Sequence, residues 1–158
     1  MTTCLISLGI DPGANGAAAL LYGDTPLAVI RYREPSAEVL AELKDVLGHA
    51  AELMHGFEYR ERATIEKVHS MPRQGVASTF KFGANYGRWL GWLQALGIPY
   101  QEVTPQRWQG ALACATKGNK NVTKERAWQM WPELRPTHAT ADALLIAYFG
   151  NRPWREDE

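Results

Sequence analysis

The sequence predicts an α/β protein built on a mixed five-stranded sheet with helices on both faces. Three apolar runs separated by short Pro- and Gly-containing turns, at residues 3–10, 16–22 and 27–32, predict an antiparallel meander. Two further short strand patterns, at residues 63–68 and 98–103, each follow a helical stretch. Strands that return after a helical crossover can pair in parallel. The predicted sheet therefore combines three antiparallel strands with two parallel ones.

The helices are predicted from apolar spacing and from capping residues. Leu40, Leu43 and Leu47 follow Ser36 at helical spacing, which indicates an amphipathic helix lying on the sheet. Thr104 followed by Pro105 is typical of a helix cap and a first helical residue. The remaining predicted helices are a long one over residues 79–96, one capped by Thr123 and ending near residue 131, and a last one over residues 138–149.

Length and composition indicate one globular domain spanning residues 1–158. The chain is 46% hydrophobic and contains six tryptophans, enough for a sizeable core. No apolar run approaches the roughly 20 residues that span a bilayer, and the N-terminus lacks the basic region and cleavage site of a signal peptide. Cys4 and Cys114 predict reduced thiols. We therefore expect a cytoplasmic protein with no membrane partner.

The charges are distributed unevenly although the formal net charge is zero. Residues 1–66 hold 5 basic and 10 acidic side chains, residues 67–126 hold 9 and 2, and residues 127–158 hold 3 and 5. The middle of the chain is therefore a basic block. If it folds onto one face, it predicts a phosphate-binding surface; the alternative is that these charges scatter over a solvated surface.

Three glycines of the predicted long helix lie four residues apart on one face: Gly83, Gly87 and Gly91. Each costs about 0.5–1 kcal/mol relative to alanine inside a helix. Their spacing indicates that something packs unusually close to this face. Two partners are open: the chain's own core, or a helix of a second copy.

Three carboxylates far apart in the chain stand in similar apolar surroundings. Asp11 ends the first strand, Glu66 lies in the fourth strand, and Asp142 lies in the last helix. Buried carboxylates are costly unless paired, and Mg²⁺ is held by a few carboxylates with water and substrate phosphate. Two such ions about 3.5–4 Å apart promote phosphodiester hydrolysis. His138, one turn before Asp142, is placed to complete a metal's ligands or to move a proton.

Each of these residues also has a purely structural interpretation. Asp11 could close an Asx turn, Glu66 could face solvent from a half-exposed strand, and Asp142 could be a surface acid near a helix start. His138 could be a cap or a surface residue. The joint order of strand end, strand and last helix favours one shared metal site.

Three short motifs surround the carboxylates: Gly-Ile-Asp-Pro-Gly at 9–13, Ile-Glu-Lys-Val at 65–68, and His138 with Asp142-Ala143-Leu144. In these motifs and their order the chain resembles the RuvC family of Holliday junction resolvases. Segments within residues 74–87, 96–99 and 103–108 are similar to the compact bacteriophage-type branch, and the resemblance covers about residues 5–150. It implies an RNase H-like fold, a homodimer, and Mg²⁺- or Mn²⁺-dependent symmetric nicking of four-way DNA junctions in DNA recombination and repair. A phage-encoded protein would act in the host cytoplasm.

The resemblance also implies roles for individual residues. Asp11, Glu66 and Asp142 match the family's metal-binding carboxylates, with two ions per active site and no organic cofactor. Ala139 stands where the family has a fourth acid, so His138 is expected to take that role. The expected DNA contacts are His69, at the position of a base-stacking aromatic residue in bacterial members, and Arg73, Gln74, Lys81, Arg88, Arg107, Lys117, Lys120 and Lys124. Lys124 matches one of two family lysines, the other position being Gln109, and the expected dimer interface is Gly83, Gly87 and Gly91.

Three other functions fit parts of the pattern. The missing fourth acid is compatible with an RNase H-like protein that binds branched DNA without cutting it. A nuclease for RNA–DNA hybrids or other branched DNA would use the same carboxylates. An actin-like ATPase would use Asp11, Gly13 and Gly16 to cradle phosphate, although the chain is short for a two-lobed ATPase.

Overall fold

The computed structural model describes residues 3–67, 69 and 72–154. Its strands are β1 Cys4–Asp11, β2 Ala17–Tyr22, β3 Thr25–Arg31, β4 Tyr59–Glu66 and β5 Tyr100–Val103. Its helices are α1 Ser36–Leu53, α2 Val76–Ala95, α3 Pro105–Ala111, α4 Asn121–Met130 and α5 His138–Gly150, with a 3₁₀ turn at Pro132–Leu134.

The five strands form one mixed sheet in the order β3-β2-β1-β4-β5. β1 pairs antiparallel with β2, and β2 with β3, as the short turns between them require. β4 and β5 return after α1 and α2 and pair in parallel, β4 with β1 and β5 with β4. The predicted fold class is confirmed. The topology brings the carboxyl ends of β1 and β4 side by side at the centre of the sheet.

The sheet separates two hydrophobic cores. On one face, Leu43 of α1 and Trp89 of α2 are fully buried against strand residues such as Ile10. On the other face, Trp108 of α3 and Leu144 of α5 are fully buried with residues of β2 and α4. No helix among the described residues combines the length and hydropathy needed to cross a bilayer.

α5 lies directly on β1 because Gly9 has no side chain. A Cβ at Gly9 would stand 2.1 Å from the Ala147 backbone nitrogen and 2.3 Å from the Ala143 carbonyl oxygen, which are impossible contacts. The Ser7 hydroxyl donates to the Ala147 carbonyl at 2.6 Å and fixes the same approach. A glycine within an apolar strand thus marks a close backbone contact, and this contact positions the start of α5.

Several predicted boundaries are wrong for identifiable reasons. β4 begins at Tyr59 rather than at residue 63, because its polar first half pairs with β1 from Cys4 onward. α4 begins at Asn121, so Thr123 is a buried helical residue and not the cap; the Asn119 side chain accepts from the Asn121 N–H at 3.1 Å. Thr104 does cap α3. Val68, the end of one predicted strand, lies outside the described residues.

The glycine stripe of α2 does not pack into the chain's own core. Gly83, Gly87 and Gly91 are exposed, and a Cβ at each would have no described atom within 4 Å. Core packing was therefore the wrong interpretation of this stripe. The helix instead presents its glycine face outward and buries Trp89 and Leu93 on the opposite side.

Candidate active site

Asp11, Glu66 and Asp142 line one open cleft of about 810 Å³ at the carboxyl ends of the central strands. Asp11 and Glu66 are the last residues of the paired strands β1 and β4. Asp142 joins them because α5 starts beside these strand ends and packs closely on Gly9. The predicted convergence is therefore present. A larger groove of about 990 Å³ beside β5 is lined by Lys67, Thr104, Arg107, Arg152 and Trp154 among others, and by none of the three carboxylates.

Asp11 makes an Asx turn and also lines the cleft, so the turn does not prevent the side chain from serving a site there. Its Oδ1 accepts from the Gly13 N–H at 3.1 Å. Burial raises the pKa of Asp11 to about 6, the Gly13 hydrogen bond lowers it, and the negative charge of Asp142 raises it further.

Glu66 is held by a tryptophan from a different element. The Trp108 Nε1–H donates to Glu66 Oε2 at 2.7 Å. Burial raises the pKa of Glu66 to about 7, with a further increase from the charges of Asp11 and Asp142 and a decrease from the Trp108 hydrogen bond. Glu66 is therefore not a solvent-facing strand residue.

The buried Oδ1 of Asp142 has no hydrogen-bond partner among the described residues. Burial raises the pKa of Asp142, whereas Thr123, Lys120 and His138 lower it. The Thr123 hydroxyl has two acceptors within reach, this carboxylate and the Lys120 carbonyl at 3.3 Å. An unpartnered buried carboxylate oxygen is unfavourable unless a cation or proton reaches it.

The donor set fits a hard divalent cation. Among the described residues, Gly13, Trp108 and Thr123 each donate to one of the carboxylates. Burial raises the pKa of all three, the negative charge of Asp142 raises the pKa of Asp11, and the charges of Asp11 and Asp142 raise the pKa of Glu66. Across the described residues, no group of three His, Cys, Asp or Glu side chains is arranged so that it could hold a metal ion without movement of the side chains. Oxygen ligands with excess negative charge and an unpartnered Oδ1 are chemically compatible with a hard divalent cation such as Mg²⁺ or Mn²⁺.

The basic block is divided between several surfaces rather than gathered on one face. Lys120 lines the cleft and acts on Asp11 and Asp142, and exposed His138 lines it at the first turn of α5. Arg107 lines the larger groove beside β5. Lys124 lies in a separate surface groove with Glu125 and Trp128, away from the carboxylates.

The other predicted DNA contacts vary in their setting. The Arg88 guanidinium donates to Asn85 Oδ1 at 3.1 Å and lies 3.4 Å from Glu34, so it supports the packing of α2. Gln74 donates to the Ser78 hydroxyl at 3.2 Å. The exposed remainder is His69, Arg73, Lys81 and Lys117.

Several residues of the cleft were not predicted to belong to the site. Arg31 and Phe82 are among those that line it, and Trp108 lies behind it as the donor to Glu66. For Trp108 a signal was present, because a capped helix directly after β5 places its first-turn aromatic residue beside the end of β4. Arg31 ends an edge strand and carried no such pattern.

No protein-family model matches the sequence, and no curated protein matches it significantly. Two solved structures of RuvC from Thermus thermophilus match nearly the whole chain. The one in complex with a Holliday junction substrate is 22% identical with a TM-score of 0.57, over 94% of this chain and 92% of that chain. The other is 21% identical with a TM-score of 0.56, over 93% and 92%. Likeness at this identity shows the fold, and we conclude that this chain has the RuvC-like fold.

Proposed function

We propose that the chain is a cytoplasmic, divalent-metal-dependent endonuclease that resolves four-way DNA junctions by symmetric nicking. The observation that carries the proposal is the convergence of Asp11, Glu66 and Asp142 in one cleft, each desolvated and one with an unpartnered oxygen. The matching RuvC structure in complex with a Holliday junction supports this substrate over other nucleic acids.

Asp11, Glu66 and Asp142 would hold two Mg²⁺ or Mn²⁺ ions, and His138 would complete their ligands in place of a fourth acid. Bound ions would supply an activated water and stabilise the leaving oxygen of the phosphodiester. Lys120, which is close enough to lower the pKa of both aspartates, would contact the phosphate that enters the cleft. The chain's own contribution is to orient the carboxylates from three elements and to desolvate them.

The actin-like ATPase alternative needs backbone N–H groups of Gly13 and Gly16 to bind phosphate, and both N–H groups already donate within the turn. The Gly13 N–H donates to Asp11, and the Gly16 N–H donates to the Gly13 carbonyl at 2.9 Å. A Cβ at Gly16 would stand 2.1 Å from the Asp11 carbonyl oxygen. The two glycines therefore serve the tight turn between β1 and β2, and this interpretation does not favour an ATPase.

The outward face of α2 supports a homodimer as the active form. Beside the exposed glycines, Val76 and Phe80 of the same helix are 88% and 78% exposed. A second copy packed on this face would cover apolar surface and approach closely over the glycines. Twofold symmetry would then direct two clefts toward opposed strands of a near-twofold junction.

The proposal is tested by cleavage of a labelled synthetic four-way junction in Mg²⁺, Mn²⁺ or EDTA, with plain duplex and RNA–DNA hybrid as controls. Paired, symmetric, metal-dependent nicks in the junction alone are the expected result. Tight junction binding without cutting in either metal would favour the non-catalytic alternative. Preferential cutting of the hybrid would change the substrate class to RNA–DNA.

A further inference from the structure

We propose that Trp108 is a positioning residue for the metal site, acting through its indole N–H on Glu66. The inference rests on the proposed function for its metal site. The contact joins residues 42 positions apart, is 2.7 Å long, and involves a side chain that is fully buried. An indole N–H is a donor only, so the contact makes Glu66 Oε2 an acceptor and engages one of the two oxygens of a carboxylate that lines the cleft.

The local fold aims the indole at this carboxylate. β5 pairs in parallel with β4, with Val103 opposite Glu66, so the chain leaves the sheet beside that residue. Thr104 then caps α3, its hydroxyl accepting from the Arg107 N–H at 3.3 Å, and Pro105 begins the helix. Trp108 follows within the first turn and is anchored by the second core. A rigid, capped helix therefore holds the donor in place.

Burial of an indole alone does not require a carboxylate partner. The buried Trp131 donates to the Asp24 carbonyl and Trp128 to the Pro136 carbonyl, both backbone acceptors. The buried Trp89 Nε1 has no partner among the described residues, so this fold tolerates an unpaired indole N–H. Trp108 differs because its acceptor is one of the three clustered carboxylates.

A hydrogen bond to one oxygen of a metal-binding carboxylate restricts the orientation of the whole carboxylate, including its second oxygen. Outer partners that orient metal-binding side chains typically change metal affinity or activity about 10- to 100-fold when removed. Gly13 on Asp11 and Thr123 near Asp142 make comparable contacts, but each comes from a neighbouring turn or helix rather than from a fully buried aromatic ring. Trp108 therefore supports Glu66 through a fully buried aromatic side chain, which the other two carboxylates lack.

The test compares Trp108→Phe with Trp131→Phe. Both substitutions remove one 2.7 Å indole hydrogen bond from a buried tryptophan of the same core, and Trp131 donates to a carbonyl outside the cleft. Mn²⁺ binding to the DNA-free protein is measured by calorimetry and by electron paramagnetic resonance of free Mn²⁺. We expect Trp108→Phe to weaken Mn²⁺ binding about 10-fold or more, and Trp131→Phe to leave it within about twofold.

Two further measurements separate positioning from packing. In a Glu66→Ala background, Trp108→Phe should cause no additional loss of Mn²⁺ affinity, because the carboxylate that accepts from the indole N–H is already absent. If Trp108→Phe fails to fold, β-(3-benzothienyl)alanine at position 108 removes the N–H while keeping the ring shape. In cleavage assays, raising Mn²⁺ should restore much of the rate of the Trp108→Phe protein, with junction affinity unchanged.

The outcomes distinguish this inference from the proposed function. Equal Mn²⁺ affinity of wild type and both tryptophan variants would overturn the role of Trp108, even if the wild type cuts junctions. Weakened Mn²⁺ binding in Trp108→Phe alone would support it, even if the wild type leaves every junction intact and the resolvase proposal fails.

Discussion

Asp142 shows how one residue can be costly for the fold and useful for the site. Its carboxylate lies in an otherwise apolar stretch of α5, burial raises its pKa, and its Oδ1 has no partner among the described residues. A side chain in this state destabilises the free protein and prepares a position for a cation. The same reasoning applies with less force to Asp11 and Glu66, which each have a well-formed donor.

Asp142→Asn is expected to reduce junction cleavage by at least about 100-fold while keeping junction affinity, because a carboxylate metal ligand is lost and the DNA-facing surface is not. Without metal, its Tm should rise, since a desolvated negative charge is removed. Cleavage gels, fluorescence anisotropy and thermal melts in EDTA measure these effects. Asp45→Asn, on the exposed side of α1, is the matched control. Undiminished cutting by Asp142→Asn would refute the assignment of this ligand.

His138→Ala is expected to raise the metal concentration needed for half-maximal cleavage about 10-fold. His138 lines the cleft and is close enough to lower the pKa of Asp142. The measurement is the cleavage rate across a Mn²⁺ titration, with His49→Ala of α1 as the exposed control. If the Mn²⁺ dependence of the cleavage rate were unchanged, His138 would have no role in metal binding and would serve only the start of α5.

At the scale of elements, strand β1 and helix α2 use glycine in opposite ways. β1 places Gly9 under α5, where the backbones touch, whereas α2 places Gly83, Gly87 and Gly91 on its open face. The first arrangement positions Asp142 beside the strand ends. The second leaves a helical surface on which a Cβ at each glycine would have no described atom within 4 Å, while Trp89 and Leu93 are buried on the opposite side.

Gly9→Ala is expected to destabilise the protein by about 2–3 kcal/mol, because the added Cβ would overlap the backbone of α5. Displacement of α5 would also separate Asp142 from Asp11 and lower the cleavage rate. Urea denaturation and cleavage assays test both effects. Gly48→Ala in α1 is the control; it has no described atom within 4 Å of its Cβ and should stabilise by about 0.5–1 kcal/mol. A fully stable Gly9→Ala protein would contradict the close approach.

Gly87→Leu is expected to convert a dimer into a monomer, because a leucine side chain would hold a second helix away from the stripe. Size-exclusion chromatography with light scattering gives the mass of each form. Gly48→Leu, at an equally open position of α1, should stay dimeric. A stable Gly87→Leu dimer would show that the stripe is not the interface.

At the scale of the whole molecule, the sheet and α5 bring residues 11, 66 and 142 together at the carboxyl ends of the two central strands. The three carboxylates therefore place negative charge in a desolvated cleft. The folded protein therefore binds protons more tightly at Asp11 and Glu66 than the unfolded chain does, with pKa values of about 6 and about 7 against 3.8 and 4.5.

Metal-free protein is consequently expected to lose stability as the pH rises from about 4 to 7. The raised pKa values favour the folded state below the unfolded pKa values, and this advantage is lost as the pH passes the folded ones. The loss is at most about 3 kcal/mol per group. Thermal melts in EDTA from pH 5 to 8 should show a falling Tm, and Mg²⁺ should raise the Tm most at pH 8.

The Asp11→Asn, Glu66→Gln double variant provides the control for this pH dependence, since its profile should be flatter. A wild-type Tm that stays constant or rises between pH 5 and 8 without metal would contradict the desolvated carboxylate cluster.

The element types, the capped start of α3 and the three acids in apolar surroundings could be predicted from the amino-acid sequence, because these features depend on neighbouring residues and on local periodicity. Tertiary structure alone decided which oxygen Trp108 holds, that Lys124 lies away from the cleft while Lys120 lines it, and that the glycine stripe faces outward. The physical reason is that these features depend on how elements distant in sequence pack, and several packings satisfy the same local pattern.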